Sequence, residues 1–205
     1  VNYVDFGSSS FEHKNNPAEY AEFVLATYQH MQSSFGFVPD SWEVVLEPDT
    51  SSASWSSTQV ANAIKAAGDR LAAAGFTPRF VAPSVTDAGN AGPYINQIAA
   101  TSGAMAHVDE FSYHLYGGNN DTNRTNIANL GVTHNKKTAM LEWITADYNT
   151  LHADLKTGNN SSWQQFTLAW LLNDGGDNGG HYYVIDDSNV SSPVIALGSR
   201  TKLLR

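Results

Sequence analysis

Cysteine is absent from the 205 residues. That excludes a disulfide framework and any cysteine-ligated metal, and it leaves the compartment open. Basic residues are scarce: Lys and Arg number 11 against 20 Asp and Glu, for a formal net charge of -9. This balance argues against nucleic acid and against anionic membrane surfaces as partners. No apolar run approaches the length of a membrane span. The histidines form no cluster at metal-ligand spacing, so no metal site is expected. No Gly-rich phosphate loop follows the first expected strand, which counts against a flavodoxin-like ligand-binding domain. The chain opens at Val1, without Met or a secretory leader, and reads as a processed product or a fragment.

What is present is a 41% hydrophobic chain, enough for a sizeable core. No composition shift marks a linker, so one domain over residues 1–205 is expected. The order is strand, helix, strand, helix. Val1 to Phe6 reads as a strand, and Asn16-Pro17 starts a helix that Gly36 ends. Trp42 to Leu46 reads as a buried strand. Ser56-x-x-Gln59 is a capping box opening a helix with Val60, Ile64, Ala67 and Leu71 on one face. Further strands are expected at Arg79–Ser84, Phe111–Tyr116, Lys137–Glu142 and His181–Ile185. Helices are expected around Tyr94–Ala99, around Ile127 and Leu130, at Trp163–Leu171 and at Ile195–Leu204. Six strands alternating with helices mean an α/β fold with a mostly parallel sheet.

Two strands stop at a carboxylate. Trp42-Glu43-Val44-Val45-Leu46 closes on Glu47-Pro48, where proline cannot continue a ladder. Lys137-Thr138-Ala139-Met140-Leu141 closes on Glu142-Trp143. Chemistry collects at this edge of α/β sheets. Two glutamates on separate strand ends can face each other across a pocket and cleave a glycosidic bond, one as acid and one as nucleophile or base. Period-2 alternation puts Ser112, His114 and Tyr116 on one face, where His114 and Tyr116 can donate to a carboxylate or a sugar hydroxyl. Trp143 offers an aromatic face to a sugar ring, and Asp49 can reach a sugar hydroxyl from its loop. Glu43, four residues before Glu47, is either a buried carboxylate in need of a partner or a solvated edge residue. The plainer readings are a solvated Glu-Pro turn, a turn residue at Asp49, core positions for Trp163 and Trp170, and surface positions for His134 and His181.

The stretch Trp42-Glu43-Val44-Val45-Leu46-Glu47-Pro48 resembles the fourth-strand motif of clan A glycoside hydrolases. Leu141-Glu142-Trp143 resembles the seventh-strand nucleophile motif, and Ser112 to Tyr116 resembles the sixth-strand His-x-Tyr pattern. Tyr182 and Tyr183 fall where the eighth strand should lie. Within the clan the chain is most similar to the β-xylosidase and glucosylceramidase groups. The resemblance implies a (β/α)8 TIM-barrel fold, present here as about six βα units without the first two. It implies a retaining double-displacement mechanism on an oligo- or polysaccharide, with no cofactor. By this resemblance Glu142 is the nucleophile and Glu47 the acid/base, with His114, Tyr116, Trp143, Glu43 and Asp49 around the substrate. Leu46 departs from the pattern: the family's Asn there binds the sugar 2-hydroxyl. That departure, and the absent strands, keep open a non-catalytic carbohydrate-binding protein or an inactive barrel remnant. An incomplete barrel is also expected to leave unpaired edges, closed by a homodimer or by a separate N-terminal segment.

Overall fold

The computed structural model describes residues 1–5, 13–145, 147–174, 181–199 and 201. Its elements are α1 (Pro17–Phe35), β1 (Trp42–Glu43), α2 (Ser57–Ala73), β2 (Phe80–Asp87), α3 (Ala91–Ala100), α4 (Ala104–His107), β3 (Val108–Gly117), α5 (Asp121–His134), β4 (Lys137–Glu142), α6 (Tyr148–Lys156), β5 (Ser162–Trp163), β6 (Ala169–Leu171), β7 (Tyr183–Asp186) and β8 (Val194–Leu197). Strands β1 to β5 pair in chain order, all parallel, as a curled half-barrel with alternating helices. This is a partial (β/α) barrel. Among the described residues no helix is long and apolar enough to cross a membrane.

Local chemistry sets the helices. The Asn16 side chain accepts from the Glu19 amide, Pro17 opens α1, and Gly36 closes it at φ 75° with its N–H on the Gln32 carbonyl. Ser56 and Gln59 complete a reciprocal capping box at α2, worth about 1 kcal/mol. Gly68 lets α4 approach α2: a Cβ there would meet the His107 ring at 2.2 Å. The buried faces of these helices join Trp42, Phe80, Phe111 and Tyr113 in one core. Tyr20 of α1 donates to the Val44 carbonyl at 2.5 Å and accepts from Trp42 Nε1 at 2.9 Å. The segment leading to Glu47 is thereby pinned from behind.

Several expectations are corrected. The first segment makes only one isolated bridge, Asn2 to Glu43, although its backbone follows Glu43 and Leu46 by hydrogen bonds; Phe6 lies outside the described residues. Tyr3 turns into an aromatic cluster with Tyr20 and Trp55 instead of extending the sheet. The helix expected over Trp163–Leu171 is two short strands, β5 and β6. The helix expected over Ile195–Leu204 begins as β8, and residues 202–205 lie outside the described residues. The Tyr182 strand is β7, which joins β6 and β8 in a separate three-stranded sheet, parallel to β6 and antiparallel to β8. His181 is buried, stacked on Trp170, and not at the surface. Helix α6, capped by Asp147, was absent from the sequence reading.

Candidate active site

Glu47 stands just beyond β1 at φ 48°, a left-handed conformation costing a non-glycine residue about 1–2 kcal/mol. Hydrogen bonds hold it there. Its amide donates to the Ser84 carbonyl at 3.1 Å, and Thr50 donates from its amide and its hydroxyl to the Glu47 carbonyl. Asp49 clamps the end of β2 and the turn after it, accepting from the amides of Thr86 and Asp87 and from Asn90 Nδ2. Its oxygens thus organise the turn after β2.

On the other side of the site, β3 and β4 run in regular register from Glu110–Lys137 to Tyr113–Met140 and then slip by one residue, so that His114 sits opposite Glu142. Such an irregularity re-aims side chains at a sheet rim. His114 is fully buried, and its Nδ1 lies 3.0 Å from Glu47 Oε1. Tyr116 donates to Glu142 Oε1 at 2.9 Å. One oxygen of each glutamate and one nitrogen of His114 all lie within 4.8 Å of one another. The structure therefore brings Glu47, His114, Tyr116 and Glu142 into one constellation. Hydrogen bonds within it already engage both carboxylates, and we assign it no metal.

A cavity of about 480 Å³ opens beside the constellation, lined among others by Glu43, Leu46, His114, Glu142 and Gln164. A second, of about 350 Å³, lies against Glu142 and is lined by Gln164, Phe166, Leu168 and Tyr182. Gln164 and Phe166 were missed as site residues because the stretch reads as helix; its aromatic spacing carries no signal for two short strands. Trp143 is half-buried and packs against the core just beyond Glu142. It is not among the side chains lining either cavity.

The electrostatics follow from burial. Glu43 is half-buried as a residue, yet its Oε1 is wholly enclosed without a hydrogen-bond partner. Desolvation raises its pKa; the Ser84 hydroxyl and His114 pull it down and Glu142 pushes it up. The Tyr116 phenol is also raised, first by burial and then by the Glu142 charge that it faces.

No protein-family model matches the chain, and no curated protein does. Solved structures do. The catalytic domain of GH30 xylanase C from Talaromyces cellulolyticus superposes with a TM-score of 0.68 at 16% identity, over 90% of this chain and 44% of that one. SrfJ from Salmonella typhimurium gives a TM-score of 0.68 at 15% identity, over 90% of this chain and 45% of that one. The chain thus spans less than half the length of these structures. At such identities the likeness concerns the fold alone, that of a partial (β/α) barrel.

Proposed function

We propose that this chain carries the catalytic face of a retaining β-glycosidase acting on an oligo- or polysaccharide. The observation that supports it is the pair of glutamates on separate strand ends, with one oxygen of each within 4.8 Å of the other and Glu142 lining the adjoining cavity. Retaining enzymes keep their carboxyl groups about 5 Å apart, whereas inverting ones leave room for a water at roughly 6.5–9.5 Å. Glu142 attacks the anomeric carbon; Tyr116 orients it. Glu47 protonates the leaving oxygen and then takes a proton from the incoming water; His114 orients it. Asp49 acts through the loop that it clamps, and Trp143 backs Glu142 from the core side. No cofactor takes part.

The test is hydrolysis of aryl β-glycosides, followed by trapping with a 2-deoxy-2-fluoro glycoside bearing a good leaving group. The expected result is one covalent sugar on the peptide containing Glu142. Turnover with no adduct, or an adduct elsewhere, would overturn the assignment. One observation favours a second reading, a carbohydrate binder without turnover: Leu46 presents an apolar side chain to the cavity where the resembling motif carries Asn. Sugar affinity by calorimetry with no release of the aryl group would select that reading.

A further inference from the structure

Gln164 stands where the two cavities meet, and the backbone explains its placement. Ser162 and Trp163 of β5 pair with Ala139 and Met140 of β4, and the Gln164 amide extends the ladder by donating to the Met140 carbonyl at 2.8 Å. Alternation along this stretch sends Trp163 back to Asp154, to which its Nε1 donates at 2.9 Å. Ser162 and Gln164 face the other way, into the larger cavity. Leu141, Glu142 and Gln164 line both cavities. Of these, Leu141 has no polar side-chain atom, and Glu142 already accepts from Tyr116 at 2.9 Å. Gln164 is exposed, and among the described residues its carboxamide hydrogen-bonds to none.

The wall of the smaller cavity is fixed in advance. Tyr182 and Tyr183 donate from their amides to the Thr167 and Leu168 carbonyls at 3.0 Å and 2.9 Å, and the Tyr182 phenol hydrogen-bonds to the Gln165 backbone. Phe166, Leu168 and Tyr182 thereby hold apolar surface beside Glu142. An apolar wall with a few placed polar groups is the usual form of a small-molecule site. It suits the C–H face of a sugar ring, with Gln164 left to meet the hydroxyls.

We infer that Gln164 is a specificity-determining residue, hydrogen-bonding two adjacent hydroxyls of an uncharged sugar that stays with Glu142 when the glycosidic bond breaks. A carboxamide sets a carbonyl acceptor beside an N–H donor, so one hydroxyl donates to Oε1 and its neighbour accepts from Nε2. Glu47 lines neither cavity, and the leaving oxygen must reach Glu47. The sugar beside Gln164 is therefore the one that Glu142 attacks; this step rests on the function proposed above. Charge excludes acidic sugars. The smaller cavity is lined by Glu142 and, among the described residues, by no Lys, Arg or His. A sugar carboxylate held there would face a like charge without a counter-ion.

The experiment measures binding by calorimetry, using aryl β-thioglycosides of glucose, galactose, mannose, xylose and glucuronic acid, which resist cleavage. A neutral probe should bind the wild type, and the glucuronide should bind about tenfold more weakly than the tightest neutral probe. Deleting ring hydroxyls from that probe one at a time should cost the wild type about fivefold at two adjacent positions, one neutral hydrogen bond each. Gln164→Leu should bind the intact probe about thirtyfold more weakly and ignore the loss of those two hydroxyls. Its urea midpoint should match the wild type, because no protein partner is lost. Binding of no neutral probe, a glucuronide bound as tightly as the neutral probe, or a variant as sensitive as the wild type to every hydroxyl overturns the inference. So does a wild type without two adjacent sensitive positions, even where Gln164→Leu fails to fold. Selective binding with no release of the aryl group from the matching oxygen glycoside overturns the glycosidase reading instead, and leaves recognition by Gln164 standing.

Discussion

At the scale of single residues, the hydrogen bond from Tyr116 to Glu142 separates orientation from chemistry. A neutral donor on a carboxylate contributes about 1.5–3 kcal/mol. Tyr116→Phe should therefore lower kcat by roughly tenfold to a hundredfold with little change in fold. Glu142→Ala should abolish turnover altogether and leave a gap that azide fills, giving a glycosyl azide of inverted configuration. Wild-type rates in Glu142→Ala, by steady-state assay, would end its role as nucleophile. Leu46 supplies a third measurement. If the leucine weakens activity by withholding a contact to the 2-hydroxyl, Leu46→Asn should raise the rate on substrates that carry this group and leave 2-deoxy analogues unchanged. Equal effects on both substrate sets would mean the cavity is built around leucine. At this scale the sequence was informative wherever a strand ended on a charge. Glu47 and Glu142 were visible because proline or an aromatic follows a short apolar run. That Tyr116 could donate to a carboxylate was visible from its face of β3; that His114 turns to Glu47 was not, because a strand's alternation does not say which neighbouring strand end a side chain meets.

At the scale of elements, α5, α6, β3 and β5 meet at one buried carboxylate. Asp154 is fully buried and accepts from Arg124 Nε at 2.7 Å, Tyr113 OH at 3.1 Å and Trp163 Nε1 at 2.9 Å. The Arg124 side chain is only 5% exposed. Removing the acid leaves Arg124 Nε and two further buried donors unpaired, while the guanidinium keeps only Asn119 and the exposed Asp121. Asp154→Ala should thus destabilise by about 3–5 kcal/mol, read as a lower urea midpoint at unchanged slope. A loss below about 1 kcal/mol would show that water re-solvates Arg124. Nothing in the sequence announced this junction. Helix α6 is short and mostly polar, and its cap Asp147 lies in a stretch without a clear apolar period. Strands β5 and β6 are two and three residues long, too short to alternate. The spacing of Trp163, Phe166, Thr167 and Trp170 imitates a helix turn instead. Up to Glu142 most elements were legible because each carries a cap, a stop or a period of its own; the exceptions were the four-residue α4, which has no side-chain cap, and Val1–Asp5, held by backbone bonds without a strand.

At the scale of the molecule, the half-barrel leaves its concave face lined by acids. A closed barrel fills its interior with layers of packed side chains. Here Glu43 and Glu110 both line the cavity on that face, and burial raises both above the ordinary glutamate value of 4.5. The edges are short, β5 being two residues long and β1 flanked by the backbone of Val1 and Tyr3, so a partner would meet the open concave face and not a long ladder. We propose that a second copy closes the barrel. Closure by such a dimer would bring four of these carboxyls together, and each must be neutral to be buried further. The dimer then takes up protons, which fixes the sign: association strengthens as pH falls from neutrality towards 4.5 and weakens as it rises. Acid also reduces the overall repulsion arising from the net charge of -9, so the wild type alone is ambiguous. The double variant Glu43→Gln, Glu110→Gln removes the interior acids while leaving most of the surface charge in place. Sedimentation velocity should show a wild-type dimer that grows on acidification and a variant dimer whose stability barely depends on pH. The same pH dependence in both would assign the effect to surface charge. A compact wild-type monomer at every pH, unfolding cooperatively, would show that the open face is stable in water and that closure by a second copy is wrong.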